Sequence, residues 1–159
     1  MSFRKMVVLS LLLLTTAQTN SPARDFVFQV RTYPSVHLNQ EIWITLALTN
    51  ISRDSEEVQF GDFFGADYKI VNTKTGARVG RITYPSHGFG SGSTATGYMG
   101  SDKPLAPGGS LVSSFRVSSV YAIKSPGTYA IRVTMGGAAG KKMTRFTLQS
   151  NTVTIRILP

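Results

Sequence analysis

The sequence predicts an all-β domain, an antiparallel sandwich or barrel of about eight or nine short strands. Apolar and polar residues alternate with a period of two in several short runs, as they do in half-buried strands. Residues that favour turns, chiefly Gly, Pro, Asn and Asp, separate these runs. Beyond the N-terminal segment, no stretch of ten residues shows the 3.6-residue period of a helix.

Composition limits both the size of the fold and its chemistry. A chain of 159 residues, with 42% hydrophobic and 16% charged residues, suits one domain with a real core. The absence of cysteine excludes disulfides, a disulfide-linked partner, thiolate metal sites and a cysteine nucleophile. The core must therefore be held together by packing alone.

The N-terminus has the pattern of a secretory signal. Arg4 and Lys5 precede the apolar stretch 6–14, and small residues follow as far as Ala17. This apolar run is shorter than the ~20 residues that span a bilayer. We therefore expect a signal peptide at 1–17 cleaved near Ala17, a secreted or periplasmic protein that does not span the membrane, and a polar leader at 18–24.

The first half of the folded domain, which we place at 25–159, contains five predicted strands, at 25–32, 41–50, 57–60, 67–72 and 78–83. In the first, Phe26, Phe28 and Val30 alternate with more polar residues. The second has the clearest pattern, with four apolar side chains of 42–48 on one face. The loop 72–76, with its glycine near the end, is expected to join the last two as a hairpin.

Four more strands are predicted in the second half, at 110–117, 128–135, 144–148 and 152–158. The steps Pro107-Gly108 and Pro126-Gly127 precede the first two, and each predicts a type II turn. Residues 120–123 favour a single helical turn between those strands. The last two strands are expected to pair as a hairpin.

A glycine-rich segment at 86–103 interrupts this rhythm. It contains His87, Phe89, Tyr98 and Met99 among Gly, Ser and Thr residues. Long loops on rigid scaffolds often carry function. These four side chains are therefore a candidate contact loop for a partner, with an inert excursion of the chain as the other interpretation.

Charge is distributed unevenly along the chain. It has 17 basic and 8 acidic residues, and no acidic residue follows Asp102. The late basic residues form a candidate anion-binding patch: Arg132, Lys141, Lys142, Arg145 and Arg156. Such a field concentrates polyanions. Specific nucleic-acid recognition is not expected, since the patch lacks interleaved aromatics and no recognition helix is predicted.

Residues suited to catalysis or metal binding are scarce. His37 and His87 are the only histidines, and neither belongs to a spacing that binds zinc. The segment around His87 and Asp102 lacks the strand-turn-helix context of a serine nucleophile. We expect no enzyme activity, no metal and no cofactor.

Three segments resemble immunoglobulin-like modules of secreted bacterial proteins: 44–52 (ITLALTNIS), 105–110 (LAPGGS) and 125–133 (SPGTYAIRV). Two groups are similar, the β-domain of peptidyl-Lys metalloendopeptidases and the BsuPI-type proteinase-inhibitor modules. The resemblance covers roughly 25–135 and implies an immunoglobulin-like β-sandwich. It also implies a corner tyrosine at Tyr129 and makes Trp43 a candidate core tryptophan. No HExxH motif is present, so proteolysis is not implied.

The functional expectation is an exported, non-catalytic binding module. Its partner would be a protein or an anionic envelope polymer, contacted through the loop 86–103 and the basic late strands. The alternative, implied by the resemblance alone, is a secreted proteinase inhibitor that acts through a surface loop.

Overall fold

The computed structural model describes residues 22–62, 66–82, 98–100 and 103–159, with 61, 62 and 98–100 described by their backbone. Within these residues the chain forms ten strands in two sheets. The strands are β1 (Phe26–Thr32), β2 (Ser35–His37), β3 (Trp43–Asn50), β4 (Val58–Asp62), β5 (Asp67–Asn72), β6 (Tyr98–Gly100), β7 (Ser110–Arg116), β8 (Gly127–Ala139), β9 (Thr144–Gln149) and β10 (Val153–Leu158). Short 3₁₀ segments lie at Pro22–Asp25 and Val117–Ser119.

The two sheets make an all-β sandwich, the fold class that the sequence predicts. The three-stranded sheet has the order β1-β3-β7, and every pairing in it is antiparallel. The seven-stranded sheet follows the path β2-β10-β8-β4-β6, with β5 and β9 also paired to β8. One pairing is parallel, that of β2 with β10, whereas the prediction was entirely antiparallel.

Strand β8 organises the larger sheet because it is long enough to have two partners along each edge. Its first half pairs with β10 on one edge and β5 on the other, and its second half pairs with β9 and β4. The predicted hairpin of the last two strands is therefore wrong. Strands β9 and β10 lie one after the other along the same edge of β8, because the 13 residues of β8 are long enough to pair with both.

Other boundaries also differ from the sequence expectations. Two strands of three residues, β2 and β6, were not predicted, because such short runs carry no readable period. No strand forms at 78–82: Arg78 and Arg81 make isolated bridges to Val71 and Tyr121 instead. The helical turn expected at 120–123 lies three residues earlier, at Val117–Ser119.

The core lies between the sheets and is built from the alternating apolar residues of each strand. Phe28, Leu46 and Ile131 are examples, each 4% exposed or less. At one end four aromatic rings pack together: Phe26 stacks on Phe146 (centroids 5.5 Å apart), Phe146 on Phe60 (5.9 Å), and Phe60 meets Phe28 edge-on (4.9 Å). Trp43 is not part of this core: its side chain points outward, the residue is 41% exposed, and the predicted core tryptophan is wrong.

The two Pro-Gly steps behave differently. Gly108 has φ +72°, and the Gly109 amide donates to the Ala106 carbonyl at 2.8 Å, so the first step is the predicted type II turn. Gly127 has φ +150°, a positive value outside the type II range, so the second prediction is wrong. Glycine suits this position because L side chains rarely adopt that φ, and a Cβ there would also lie 3.2 Å from Nδ2 of Asn72.

Two side chains fasten the framework. The Tyr129 hydroxyl donates to the Ser125 carbonyl at 2.9 Å, the predicted tie of a corner tyrosine. The Asn151 amide bridges the sheets: its Oδ1 accepts from the buried Val30 amide at 2.7 Å, and its Nδ2 donates to the Val30 carbonyl at 3.1 Å. Asn151 thereby supplies hydrogen-bond partners to the backbone N–H and C=O of Val30 on the edge strand β1, as a neighbouring strand would.

Candidate functional site: the outer face of the seven-stranded sheet

Register places three of the five predicted patch residues on the outer face of the seven-stranded sheet. Arg132 lies on β8 with its neighbours Ile131 and Val133 buried in the core, so its own side chain points outward. Arg145 lies opposite Ala138, and Arg156 lies opposite Thr128. All three therefore belong to one face, because alternate residues of a strand share a side.

The two other predicted residues lie apart from this face. Lys141 and Lys142 are in the β8–β9 turn and are exposed. Next to them the Gly140 amide donates to the Glu57 carbonyl at 2.9 Å, and a Cβ on Gly140 would lie 3.8 Å from a Glu56 carboxylate oxygen. Acidic residues distant in sequence thus lie beside this turn, which reduces the positive field around it.

A fourth cation on the outer face was not identified from the sequence. Lys69 on β5 is exposed and lies directly opposite Arg132. In the sequence it stands within the acidic half of the chain, two residues after Asp67. Only the pairing of β5 with β8, which places Lys69 opposite a residue 63 positions later in the chain, brings Lys69 to the basic face.

Few acidic groups oppose this charge. Asp67, opposite Thr134, lies on the same face, but its carboxylate is engaged by Arg78, with Nη2 2.8 Å from Oδ1. The Arg132 guanidinium donates to Oε1 of Gln149, a neutral amide, at 3.3 Å. Within the described ranges, Lys69, Arg132, Arg145 and Arg156 form no salt bridge.

The three-stranded sheet presents a different surface. Its outer face carries the exposed apolar residues Val27, Trp43 and Val112. At one end, hydrogen bonds to Glu41 from the Trp43 indole and the Arg116 guanidinium lower the pKa of that carboxyl below its ordinary value near 4.5. This group of side chains was not anticipated, since Trp43 was expected in the core.

A cleft of about 410 Å³ at the end of the sandwich is the place to look for catalytic chemistry. Its lining includes His37, Glu41, Ser118 and Ser119. The Nδ1 of His37 lies 2.9 Å from the Pro159 carbonyl oxygen, and both serine hydroxyls bond to backbone groups. Among the described residues that line the cleft, no serine hydroxyl is hydrogen-bonded to His37 or Glu41, as a nucleophile–base pair would require.

No cluster of three or more His, Asp or Glu among the described residues could hold a metal ion. Nor does any helical segment there have the length and hydrophobicity to cross a membrane. Of the candidate contact loop, His87 and Phe89 lie outside the described residues, and Tyr98 and Met99 are placed only by the backbone of β6.

No family model matches the chain, and neither does any curated protein. Among solved structures the chain is similar to the ASH/PapD-like domain of human CEP192 (PapD-like domain 7), at 15% sequence identity and a TM-score of 0.43, over 99% of this chain and 96% of that one. The resemblance to BsuPI-type modules and to the metalloendopeptidase β-domain remains a prediction.

Proposed function

We propose that the protein is an exported, non-catalytic binding module for an anionic envelope polymer. The contact surface is the outer face of the seven-stranded sheet. One observation carries this proposal: four cations, Lys69, Arg132, Arg145 and Arg156, share a face on which the Asp67 carboxylate is engaged by Arg78. An excess of positive charge on one surface raises the local concentration of polyanions and speeds their association.

Export is part of the proposal and depends on the pattern of 1–17. An exported polyanion-binding domain would meet the anionic polymers of the envelope. Expression of the complete gene in a host with a secretion pathway, followed by intact-mass measurement, tests this step. We expect a secreted product whose mass corresponds to a chain beginning near Gln18. A product retained in the cells at full-length mass would contradict it.

The binding test uses the secreted protein and a sulfated polysaccharide, labelled for fluorescence anisotropy. Each cation that releases counterions contributes about −0.7 to the slope of log K against log salt for a single-stranded polyanion, so four cations predict a slope near −3. Affinity should then fall about 50-fold between 50 and 200 mM salt. Binding that is independent of salt would contradict the proposal.

Charge reversal locates the surface. The triple variant Arg132→Glu, Arg145→Glu, Arg156→Glu should abolish measurable binding at 150 mM salt. The single variants Arg132→Glu, Arg145→Glu and Arg156→Glu are each compared with Arg31→Glu, which changes the net charge equally at an exposed position of the three-stranded sheet. If Arg31→Glu weakens binding as much as these single variants do, the effect is one of net charge, which would contradict a surface-specific site.

A further inference from the structure

Two like charges lie directly opposite each other at the centre of the outer face. Lys69 on β5 and Arg132 on β8 are partners in an antiparallel register, and both point away from the core. Directly opposite residues have Cβ atoms about 4.5–5.5 Å apart, and like charges there destabilise a sheet. The surrounding protein offers little relief: Asp67 is bound to Arg78, and Arg132 reaches only a glutamine amide.

The remaining cations extend in a line from this pair. Arg156 lies beside Thr128, four residues from Arg132 along β8, and Arg145 lies beside Ala138, six residues away in the other direction. At about 3.3 Å per residue these separations are roughly 13 and 20 Å, so the positive groups span about 33 Å. The outward residues of β8 between them are small: Ala130, Thr134 and Gly136.

The shape and composition of this face restrict what it can hold. The large apolar residues that are exposed in the described ranges, Val27, Tyr33, Trp43, Ile51 and Val112, belong to the three-stranded sheet or to connecting segments. Faces that bind a membrane usually insert such side chains, and surfaces for single-stranded nucleic acid stack bases on aromatics. A line of cations with neither feature among the described side chains fits a hydrophilic linear polyanion.

We propose that this face is a track for one extended acidic polysaccharide, with a sulfate or carboxylate held jointly by Lys69 and Arg132. Arg156 and Arg145 then bind anionic groups farther along the same chain. The inference rests on the proposed function and deepens it, by naming the ligand class, its direction along β8 and the residue pair at the centre of the site. The joint anion also removes the repulsion between the opposed cations.

The first test uses heparin-derived fragments of defined length. A dodecasaccharide is long enough to contact the whole track, whereas a disaccharide reaches the central pair alone. We expect the dodecasaccharide to bind the secreted protein at least tenfold more tightly. In the double variant Arg145→Gln, Arg156→Gln this length preference should disappear. If the variant keeps the preference, or if wild type binds both lengths equally, the track is wrong although polyanion binding itself stands.

The second test separates a binding pair from a structural one. Lys69→Gln removes the repulsion, so the free protein should melt at an unchanged or higher temperature, by up to about 3 °C. Its affinity for the dodecasaccharide should nevertheless fall three- to tenfold. Arg31→Gln, on the other sheet, should change that affinity less than twofold.

The outcomes are distinguishable from failure of the proposed function. Loss of stability in Lys69→Gln, or unchanged dodecasaccharide affinity, overturns the central pair while leaving polyanion binding intact. If Lys141→Gln or Lys142→Gln lowers the dodecasaccharide affinity more than Lys69→Gln does, the site lies at the β8–β9 turn, and this result would also overturn the track. If wild type binds no polysaccharide of either length, the proposed function itself fails.

Discussion

Replacing Gly137 with alanine would place a methyl group inside the aromatic cluster of the core. Gly137 lies on β8 between Phe60 of β4 and Phe146 of β9, its two cross-strand neighbours. A Cβ built on it would lie 2.7 Å from Cδ2 of Phe60, 2.8 Å from Cζ of Phe146 and 3.0 Å from the Gln59 carbonyl oxygen. These distances are well inside van der Waals contact, so at least one ring must move.

The rings have little freedom to do so. Phe60 is fully buried and meets Phe28 edge-on, and Phe146 is stacked between Phe26 and Phe60. Overpacking a core by one methyl group costs about 1–3 kcal/mol, from which the lower backbone entropy of unfolded alanine recovers about 0.4–1 kcal/mol. Because two held rings are met at once, the cost lies in the upper part of that range, about 2–3 kcal/mol, and the net loss of about 1–2.6 kcal/mol corresponds to a melting temperature lower by roughly 2–10 °C.

Gly136 is the matched control because it is the adjacent residue of the same strand and faces the other way. A Cβ at Gly136 would come no closer than 3.7 Å, to the Phe146 carbonyl oxygen. Gly136→Ala should therefore leave stability unchanged or raise it slightly. Thermal and urea unfolding followed by circular dichroism measure both variants. Equal effects of the two substitutions would refute the argument that Gly137 is required by the approach of the rings.

Three further predictions concern single contacts. Tyr129→Phe should lose about 1–3 kcal/mol of unfolding free energy in urea titrations, since it removes two hydrogen bonds of the tyrosine hydroxyl, to the carbonyl and to the hydroxyl of Ser125. Asn151→Ala should lose about 1–3 kcal/mol, because the buried Val30 amide loses its acceptor, and hydrogen exchange at that amide should accelerate. Because hydrogen bonding lowers the pKa of Glu41, the stability that this carboxylate provides is present above its ordinary pKa and is lost as pH falls through the depressed value. The fluorescence of Trp43, the only tryptophan, should report that titration below pH ~4.5.

Each prediction has a control. Tyr33→Phe removes a hydroxyl from a residue that is 68% exposed and should be neutral. Faster exchange spread over the whole core of the Asn151 variant, instead of concentrated at β1, would contradict the local bridge. Glu41→Gln should abolish the acid transition in fluorescence, and a transition that persists in this variant belongs to another group.

Local signals were sufficient for most elements of the fold. The alternation in 43–50 and 67–72 gave strands whose observed ends agree to within two residues, because a half-buried strand needs a period of two. The Pro107-Gly108 turn and the Tyr129 tie are equally local, since each is made within five residues of chain. The prediction that Trp43 lies in the core was wrong, and the sequence contains the reason. Trp43 shares a face with threonines and alanine, opposite the buried isoleucine and leucines of the strand.

The candidate site divides in the same way. Arg132, Arg145 and Arg156 were identifiable because each lies in a strand with a clear alternation and the late chain has no acids. Lys69 could not be identified as a site residue, because nothing near it in the sequence indicates that β5 pairs with β8. The neutralising contribution of Glu56 and Glu57 at the β8–β9 turn was missed for the same reason.

The sequence by itself determined the all-β class, the positions of the principal strands and the excess of positive charge. Each of these depends on residues close together in the chain. The tertiary structure decided which charges share a surface, that β9 and β10 both lie along β8, and that Gly137 must have no side chain. These follow from strand pairing between distant segments, which depends on the packing of the whole core and leaves no trace in a local pattern.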